Sequence, residues 1–127
     1  MSRGYQDLIV WQKAMDLVEL VYRESASLPT EERFGLTSQI RRAAVSVPSN
    51  VAEGNSRSSD RDFARFLEIA LGSLAELETQ VLLAVRLYLL NRERCTPILT
   101  LAAEVGRLLT GLHRSKSTAQ PDGSSKQ

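Results

Sequence analysis

The chain has 127 residues, with 43% hydrophobic and 24% charged residues, which are ordinary values for one globular domain. The formal net charge of +1 excludes a global polycation, and a single cysteine excludes an internal disulfide and a cysteine-rich zinc site. The N-terminus lacks a basic region followed by an apolar core, and no apolar run reaches membrane-spanning length. We therefore expect a cytoplasmic protein.

The first predicted helix runs from about Asp7 to Ala26 and ends before Pro29, because proline does not continue a helix. Its apolar residues recur at spacings of three and four and form two adjacent lines. One line consists of Leu8, Trp11, Met15, Val18 and Tyr22. The second line consists of Ala14, Leu17 and Val21. This wide apolar coverage indicates a further interface beyond a single core-facing stripe.

The second predicted helix begins near residue 36 and contains Pro48, which removes one backbone hydrogen bond and is expected to kink the helix. Its apolar stripe consists of Leu36, Ile40, Ala44, Val47 and Val51. Gly54 follows this stripe and is expected to end the helix, because glycine adopts the left-handed conformation without strain.

The third predicted helix is the longest and extends from Asp60 to Leu90. A four-three apolar spacing comprises Phe63, Leu67, Ala70, Leu74, Leu77, Val81, Ala84 and Tyr88. Gly72 lies in mid-helix, where glycine costs about 1 kcal/mol relative to alanine, so we expect another backbone to approach it closely. Glu78 interrupts a second apolar line, which predicts a partly buried carboxylate paired with a cation.

The fourth predicted helix begins at Thr96, with Pro97 in its first turn, and continues to Arg114. Residues 115–127 carry no apolar stripe and are expected to form a disordered polar tail, so the predicted domain covers residues 1–114. Four amphipathic helices with short connections predict an all-α fold, an antiparallel up-down four-helix bundle.

No set of catalytic or metal-binding residues is recognisable in the sequence. His113 is the only histidine, and Cys95 lies in a predicted turn without an activating base beside it. Glu53, Glu68, Glu76 and Glu78 resemble the carboxylates of bundle metal sites, but those sites add Glu-x-x-His pairs that this chain lacks. We therefore expect a protein without enzymatic activity, metal or cofactor.

The strongest candidate site is a group of arginines in a basic segment. Residues 33–65 hold six arginines against three acidic residues. Arg57, Arg61 and Arg65 recur every four residues, which places them on one face at the start of the third helix, where backbone N–H groups also attract anions. This pattern indicates phosphate binding, or equally a solvated face paired with neighbouring acidic residues.

Arg41 and Arg42 complete the predicted nucleic-acid-binding set, and they have an alternative role. Both are candidates to pair with acidic residues inside the bundle or between subunits. The structural or interface residues predicted in this context are Glu53, Gly72, Glu76 and Glu78.

Several motifs occur in order along the chain. They are Leu8-Ile-Val-Trp-Gln-Lys-Ala14, Phe34-Gly-Leu36, Gln39-Ile-Arg-Arg-Ala-Ala-Val-Ser-Val-Pro48, Asn50-Val-Ala-Glu-Gly54, Phe63 with Phe66-Leu67, and Gly72-Ser-Leu-Ala-Glu-Leu-Glu78. With them, residues 5–112 resemble the four-helix-bundle proteins encoded in intervening sequences of bacterial 23S ribosomal RNA genes. The same family includes accessory proteins of diversity-generating retroelements, in which a basic pentameric barrel binds nucleic acid and a reverse transcriptase.

The resemblance implies an antiparallel four-helix bundle assembled into a ring-like oligomer, with a pentamer favoured, and it implies no known enzymatic activity. Two features depart from the family: the net charge is near neutral, and Leu87-Tyr-Leu-Leu90 replaces the usual Leu-Gly-Tyr ending of helix three. On the basis of the local arginine excess, the function predicted is non-enzymatic binding of RNA or DNA through phosphate contacts. The alternative is an oligomeric adaptor that recruits a protein partner and does not bind nucleic acid.

Overall fold

The computed structural model describes residues 4–118, and this part of the chain contains four α-helices and no β-strand. The helices are α1 (Ile9–Ser25), α2 (Leu36–Asn55), α3 (Asp60–Arg86) and α4 (Arg92–Thr118). Short 3-10 turns occupy Gly4–Asp7 and Thr30–Glu32. The predicted all-α class and the number of helices are thus confirmed for the described residues.

All four helices contribute to one apolar core. Each helix packs against its neighbours in the chain, and α1 also packs against α4. The largest fully buried side chains include Leu17, Ile40, Leu67, Leu77, Ile98 and Leu109. On α3 the predicted stripe is buried from Phe63 to Ala84, which confirms the four-three spacing over that length.

The two apolar lines of α1 have different environments. Ala14, Leu17 and Val21 are completely buried and form the core-facing line. In the other line, Met15 is 38% exposed and Tyr22 is 43% exposed. The line that contains Met15 and Tyr22 therefore lies at the margin of the core, and part of its surface is exposed to solvent.

Pro48 lies inside α2 without ending it, and the helix continues to residue 55. Next to the proline, the Asn50 side-chain amide donates to the carbonyl and the hydroxyl of Ser46 at 2.8 and 2.9 Å. Ser46 also shares a hydrogen bond of 2.8 Å with the hydroxyl of Ser73 on α3. These polar side chains therefore tie the proline-containing turn of α2 to its neighbour.

The prediction that Gly54 ends α2 in the left-handed conformation needs correction. Gly54 is buried within α2 and is not left-handed, since the positive φ angles of residues 4–118 belong to Gly4 and Tyr88. A Cβ atom on Gly54 would lie 2.7 Å from Cβ of Phe66 and 2.8 Å from Cδ1 of Phe63. A Cβ atom on Gly72 would meet nothing within 4 Å. Within the described residues, the close approach of two helices is thus found at Gly54, between α2 and α3.

Replacing Gly54 with alanine is expected to destabilise the fold, because the added methyl forces the backbone of α3 away from α2. We expect a loss of about 1–3 kcal/mol in the free energy of unfolding, measured by urea denaturation. Gly111→Ala is the matched control, because its Cβ would meet nothing within 4 Å. That control should gain up to about 1 kcal/mol from helix propensity. Equal effects of the two substitutions would contradict the close approach.

The C-terminus of α3 is closed by hydrogen bonds around a left-handed tyrosine. The Leu89 amide donates to the Ala84 carbonyl at 2.9 Å, and the Tyr88 amide donates to the Val85 carbonyl at 3.0 Å. This double pattern is the Schellman motif, which usually has glycine at the left-handed position. Here Tyr88 occupies that position with φ of 61° and is 95% exposed, so it does not close the buried stripe as predicted. The helix accordingly ends four residues before Leu90.

Replacing Tyr88 with glycine should stabilise the protein by about 1 kcal/mol, because the left-handed conformation disfavours a side chain. Little packing is lost, since the ring is almost fully exposed. Thermal unfolding followed by circular dichroism measures this gain. Tyr88→Ala removes the ring but keeps the Cβ atom, so it should leave the melting temperature close to that of the wild type. An equal gain in both variants would assign the effect to the ring instead of the backbone.

Helix α4 is longer than predicted at both ends. Asn91 Oδ1 accepts from the Arg94 amide at 3.0 Å, so capping occurs at Asn91 instead of Thr96, and Pro97 lies inside the helix. At the other end, the helix continues past the predicted boundary at residue 114 to Thr118, and Lys116 in this added turn contacts α3. Its Nζ lies 3.8 Å from Asp60 and 5.4 Å from the ring centroid of Phe63. Residues 119–127 of the predicted tail lie outside the described residues.

Candidate nucleic-acid interface

The corner between α2 and α3 carries two arginines on one aromatic ring. Arg57 lies in the connection, where its amide donates to the Gly54 carbonyl at 3.1 Å, and Arg65 lies on the second turn of α3. Each guanidinium carbon is 4.8 Å from the ring centroid of Phe66. Phe66 itself is only 7% exposed, so the ring is a rigid support. The two charges are therefore held together at this corner.

The third member of the predicted face, Arg61, is exposed and makes no hydrogen bond or ion pair with any residue in the 4–118 range. Its neighbours are partly neutralised. Arg57 donates to Glu53 at 2.8 Å, and Arg65 lies 4.0 Å from Asp62. Exposed ion pairs of this kind contribute about 0–1 kcal/mol, so a phosphate group can replace these carboxylates at low cost. We call Arg57, Arg61 and Arg65 the basic corner.

The start of α3 also has a defined cap. Ser59 Oγ accepts from the Asp62 amide at 3.1 Å, and both Asp60 and Asp62 lie in the first turn. These carboxylates already interact favourably with the positive end of the helix dipole. The helix start therefore adds little anion affinity, and the arginine side chains are the main source of positive charge.

Arg41 is engaged within the chain. Its Nε donates to Ser25 Oγ at 2.8 Å, and its Nη2 donates to the Tyr22 carbonyl at 3.2 Å. The guanidinium also lies over the Tyr22 ring, 4.5 Å from the centroid. Ser25 is buried and Tyr22 belongs to the last turn of α1, whose carbonyls lack helical partners. Arg41 therefore caps the C-terminus of α1 and ties it to α2.

Removing this cap should lower stability. We expect Arg41→Ala to reduce the free energy of unfolding by about 1–3 kcal/mol, because it removes the charged donor to the buried Ser25 hydroxyl and leaves the Tyr22 carbonyl only the long 3.4 Å hydrogen bond from Ser25 Oγ. Arg41→Lys should recover only part of the loss, since an ammonium does not reproduce the planar fork. Urea denaturation measures both. Arg107→Ala, an exposed change on α4, should stay within about 0.5 kcal/mol of the wild type.

The pairs proposed between these arginines and the acidic residues are not formed within the described chain. Glu53 pairs with Arg57, and Arg41 contacts α1 instead. Glu78 is half-buried, as predicted, but it lines an open groove between α3 and α4 and makes no ion pair. Arg42 and Glu76 are both exposed and border a separate furrow between α2 and α3. The five predicted arginines thus divide into the basic corner, a helix cap and one furrow residue.

The residues that could carry nucleophilic or metal chemistry are placed unfavourably for it. Cys95 is 1% exposed, and its burial, with a smaller contribution from Glu24, raises the pKa of the thiol. His113 Nε2 lies 2.8 Å from Glu68 Oε2, which joins α4 to α3 at the surface. Within residues 4–118 no three His, Cys, Asp or Glu side chains gather into a group that could hold a metal ion.

Two residues of this region were not predicted as part of the site. The sequence does not predict that Phe66 supports two arginines. That contact depends on the turn before α3, which brings Arg57 back to the Phe66 ring. Lys116 was assigned to the tail, yet it adds a positive charge beside Asp60 and covers the ring of Phe63. The signal in the sequence was its spacing from His113, because residues three apart share one face wherever a helix continues.

These observations define a small all-α bundle protein with a basic corner. The sequence matches the family model described as 23S rRNA-intervening sequence protein over residues 6–111, and the chain belongs to that family. A similar solved structure is the crystal structure of a protein with unknown function from the S23 ribosomal protein family of Bacteroides thetaiotaomicron. It is 26% identical with a TM-score of 0.77, and the match covers 84% of this chain and 99% of that chain.

No curated protein matches the sequence. None of the helices in residues 4–118 combines the length and apolar character needed to cross a membrane.

Proposed function

We propose that this protein is a non-enzymatic, cytoplasmic nucleic-acid-binding protein that contacts the phosphates of RNA or DNA through its basic corner. The observation that carries the proposal is the pair of arginines, Arg57 and Arg65, held on the single ring of Phe66. Arg61 lies between them in sequence with no partner among the described residues. Three guanidinium groups at one corner can neutralise successive phosphates.

Arginine suits this role for two physical reasons. Its planar fork of N–H donors matches two phosphate oxygens, and it keeps its charge at every physiological pH. Stacking on Phe66 restricts Arg57 and Arg65 before binding, so less conformational entropy is lost when a phosphate is bound. The carboxylates of Glu53 and Asp62 are exposed and are readily displaced.

We further propose that the subunit is an antiparallel up-down bundle that assembles into a ring-like homo-oligomer, with a pentamer favoured by the family resemblance. Several large apolar side chains on the bundle surface support self-association. They are Met15 and Tyr22 on α1, Val45 on α2, and Ile69, Leu82 and Leu83 on α3. A ring would repeat the basic corner around its axis, so that several weak phosphate contacts act together on one nucleic acid.

Binding of a fluorescently labelled structured RNA fragment, measured by anisotropy across a salt series, tests the proposal. Wild-type affinity should fall linearly with the logarithm of salt concentration, because phosphate contacts release counterions. The variant Arg57→Glu/Arg61→Glu should bind at least about tenfold more weakly and with a salt slope reduced by about one to two.

The matched control is Arg23→Glu/Arg107→Glu, which makes the same change of charge at exposed sites on α1 and α4. If this control loses as much affinity as the corner variant, binding depends on net charge and not on the basic corner. If the wild type does not bind even at low salt, nucleic-acid recognition is excluded as the function.

A specific surface favours the second candidate, an oligomeric adaptor that recruits a protein partner. Leu82 and Leu83 are 45% and 43% exposed, and with Arg86 and Arg92 they line an open groove of about 460 Å³ near the end of α3. Apolar surface next to arginine is typical of protein-binding sites. The absence of RNA binding in the salt series would favour this adaptor function.

A further inference from the structure

A polar furrow lies between α2 and α3 and is separate from the basic corner. It has a volume of about 330 Å³ and is lined by Gln39, Arg42, Ala43, Ser46, Glu76 and Gln80. We call it the α2–α3 furrow. Sites for small ligands usually have volumes of about 300–1,000 Å³, so the furrow lies at the lower end of that range and suits a single ring system.

The furrow presents one cation and one anion that no other residue of the described chain neutralises. Arg42 on α2 and Glu76 on α3 are both exposed, and neither side chain forms an ion pair or a hydrogen bond within residues 4–118. The adjacent Arg41, in contrast, is bound to the end of α1. A ligand that carries donors for a carboxylate and acceptors for a guanidinium therefore finds both partners free.

The Gln80 side chain supplies a further acceptor. Its amide nitrogen donates to Gln39 Oε1 in a long hydrogen bond of 3.4 Å, so the amide group is weakly held. Its own Oε1 atom is buried and has no hydrogen-bond partner among the described residues. Such an acceptor is uncommon in folded proteins, because it has lost its water without gaining a donor. A ligand N–H group in the furrow would satisfy this oxygen once the amide turns toward it.

Guanine is the base whose edges match these groups. Its Watson–Crick edge carries two adjacent donors, N1–H and N2–H, which fit the two oxygens of one carboxylate. Its Hoogsteen edge carries two adjacent acceptors, O6 and N7, which are the usual partners of an arginine fork. The second hydrogen of the N2 amino group remains for an amide oxygen. No other base combines a pair of adjacent donors with a pair of adjacent acceptors.

The furrow also lies on the same face of α3 as part of the basic corner. Arg65 and Glu76 are eleven residues apart, which is three helical turns, so they share one face. Their separation along the helix axis is about 16 Å, at roughly 1.5 Å per residue. Between them Gly72 adds no side chain, and nothing lies within 4 Å of its Cβ position. Single-strand sites hold about 4–16 nucleotides, so one strand can contact both places.

We propose that the α2–α3 furrow binds an unpaired guanine of the strand whose phosphates contact the basic corner. This inference rests on the proposed function and adds base specificity to it. Glu76 accepts from N1–H and N2–H, Arg42 donates to O6 and N7, and the Gln80 amide oxygen accepts the remaining N2 hydrogen. The described lining of the furrow contains no aromatic side chain, so hydrogen bonds to the base edges provide the discrimination.

Binding of labelled RNA strands of about ten nucleotides, measured by anisotropy at low salt with the full chain, tests the furrow. One strand contains only uridine, a second has one central guanosine, and a third has inosine there, which lacks the N2 amino group. The wild type should bind the guanosine strand about tenfold or more tighter than the uridine strand, since a bidentate contact discriminates bases at about that level. Inosine should bind about threefold or more weakly than guanosine, because it lacks the N2 donors.

The readout in the variants is the ratio of the affinities for the guanosine and uridine strands, because charge effects on phosphate binding cancel in it. Glu76→Gln should reduce this ratio to within about twofold of one, since the amide presents a donor to one of the N–H groups of guanine. Glu19→Gln removes the same charge at an exposed site on α1 and should keep the ratio. The corner variant Arg57→Glu/Arg61→Glu should weaken binding of both strands and also keep it.

The possible results separate the furrow from the basic corner. Equal wild-type affinity for the guanosine and uridine strands would overturn the guanine site and leave phosphate binding intact, whereas failure of every strand to bind would overturn both. A preference that survives Glu76→Gln, with an unchanged circular dichroism spectrum, would also overturn the inference. Free guanosine 5′-monophosphate that competes as well as the guanosine strand would assign the furrow to a free nucleotide and overturn the strand-bound base.

Discussion

The close approach of α2 and α3 at Gly54 determines where the candidate site lies. The aromatic side chains of Phe63 and Phe66 occupy the volume that a Cβ atom on residue 54 would need. Because the helices meet here, the chain turns back within a few residues, and Arg57 returns to the ring of Phe66. A wider separation would remove the support of Arg57 and would also shift the buried stripe of α3. Core packing and the position of the basic corner thus depend on one missing side chain.

Helical periodicity in the sequence predicted the number of helices and the buried stripe of α3, because apolar spacing alone determines which residues share a face. The sequence also indicated that Gly54 packs against the core. This residue continues the stripe of Val47 and Val51 at the next spacing of three, so it belongs to the core-facing side of α2. Gly72 falls outside the stripe of Ala70 and Leu74, on the outer side. Within one chain, a mid-helix glycine predicts close packing of two helices when it lies on the buried stripe.

The helix ends and the roles of individual arginines were harder to predict. The Asn91 side chain caps the start of α4, and Lys116 contacts Asp60 near its other end; the spacing of apolar residues predicts neither contact. Arg41 and Arg42 are adjacent in sequence, but neighbouring residues on a helix point about 100° apart. One therefore reaches the end of α1 and the other faces the furrow. Only the three-dimensional arrangement of α1, α2 and α3 separates these two roles.

The hydrogen bond between Ser46 and Ser73 has a consequence for how α2 and α3 align lengthwise. Apolar stripes tolerate sliding, because a shift of one helical turn, about 5.4 Å, brings another apolar side chain into each contact. The same shift would separate the two hydroxyl groups and break their hydrogen bond at a partly buried position. The serine pair therefore adds a polar constraint to the close fit at Gly54, and both favour one axial register for the two helices that carry the basic corner and the furrow.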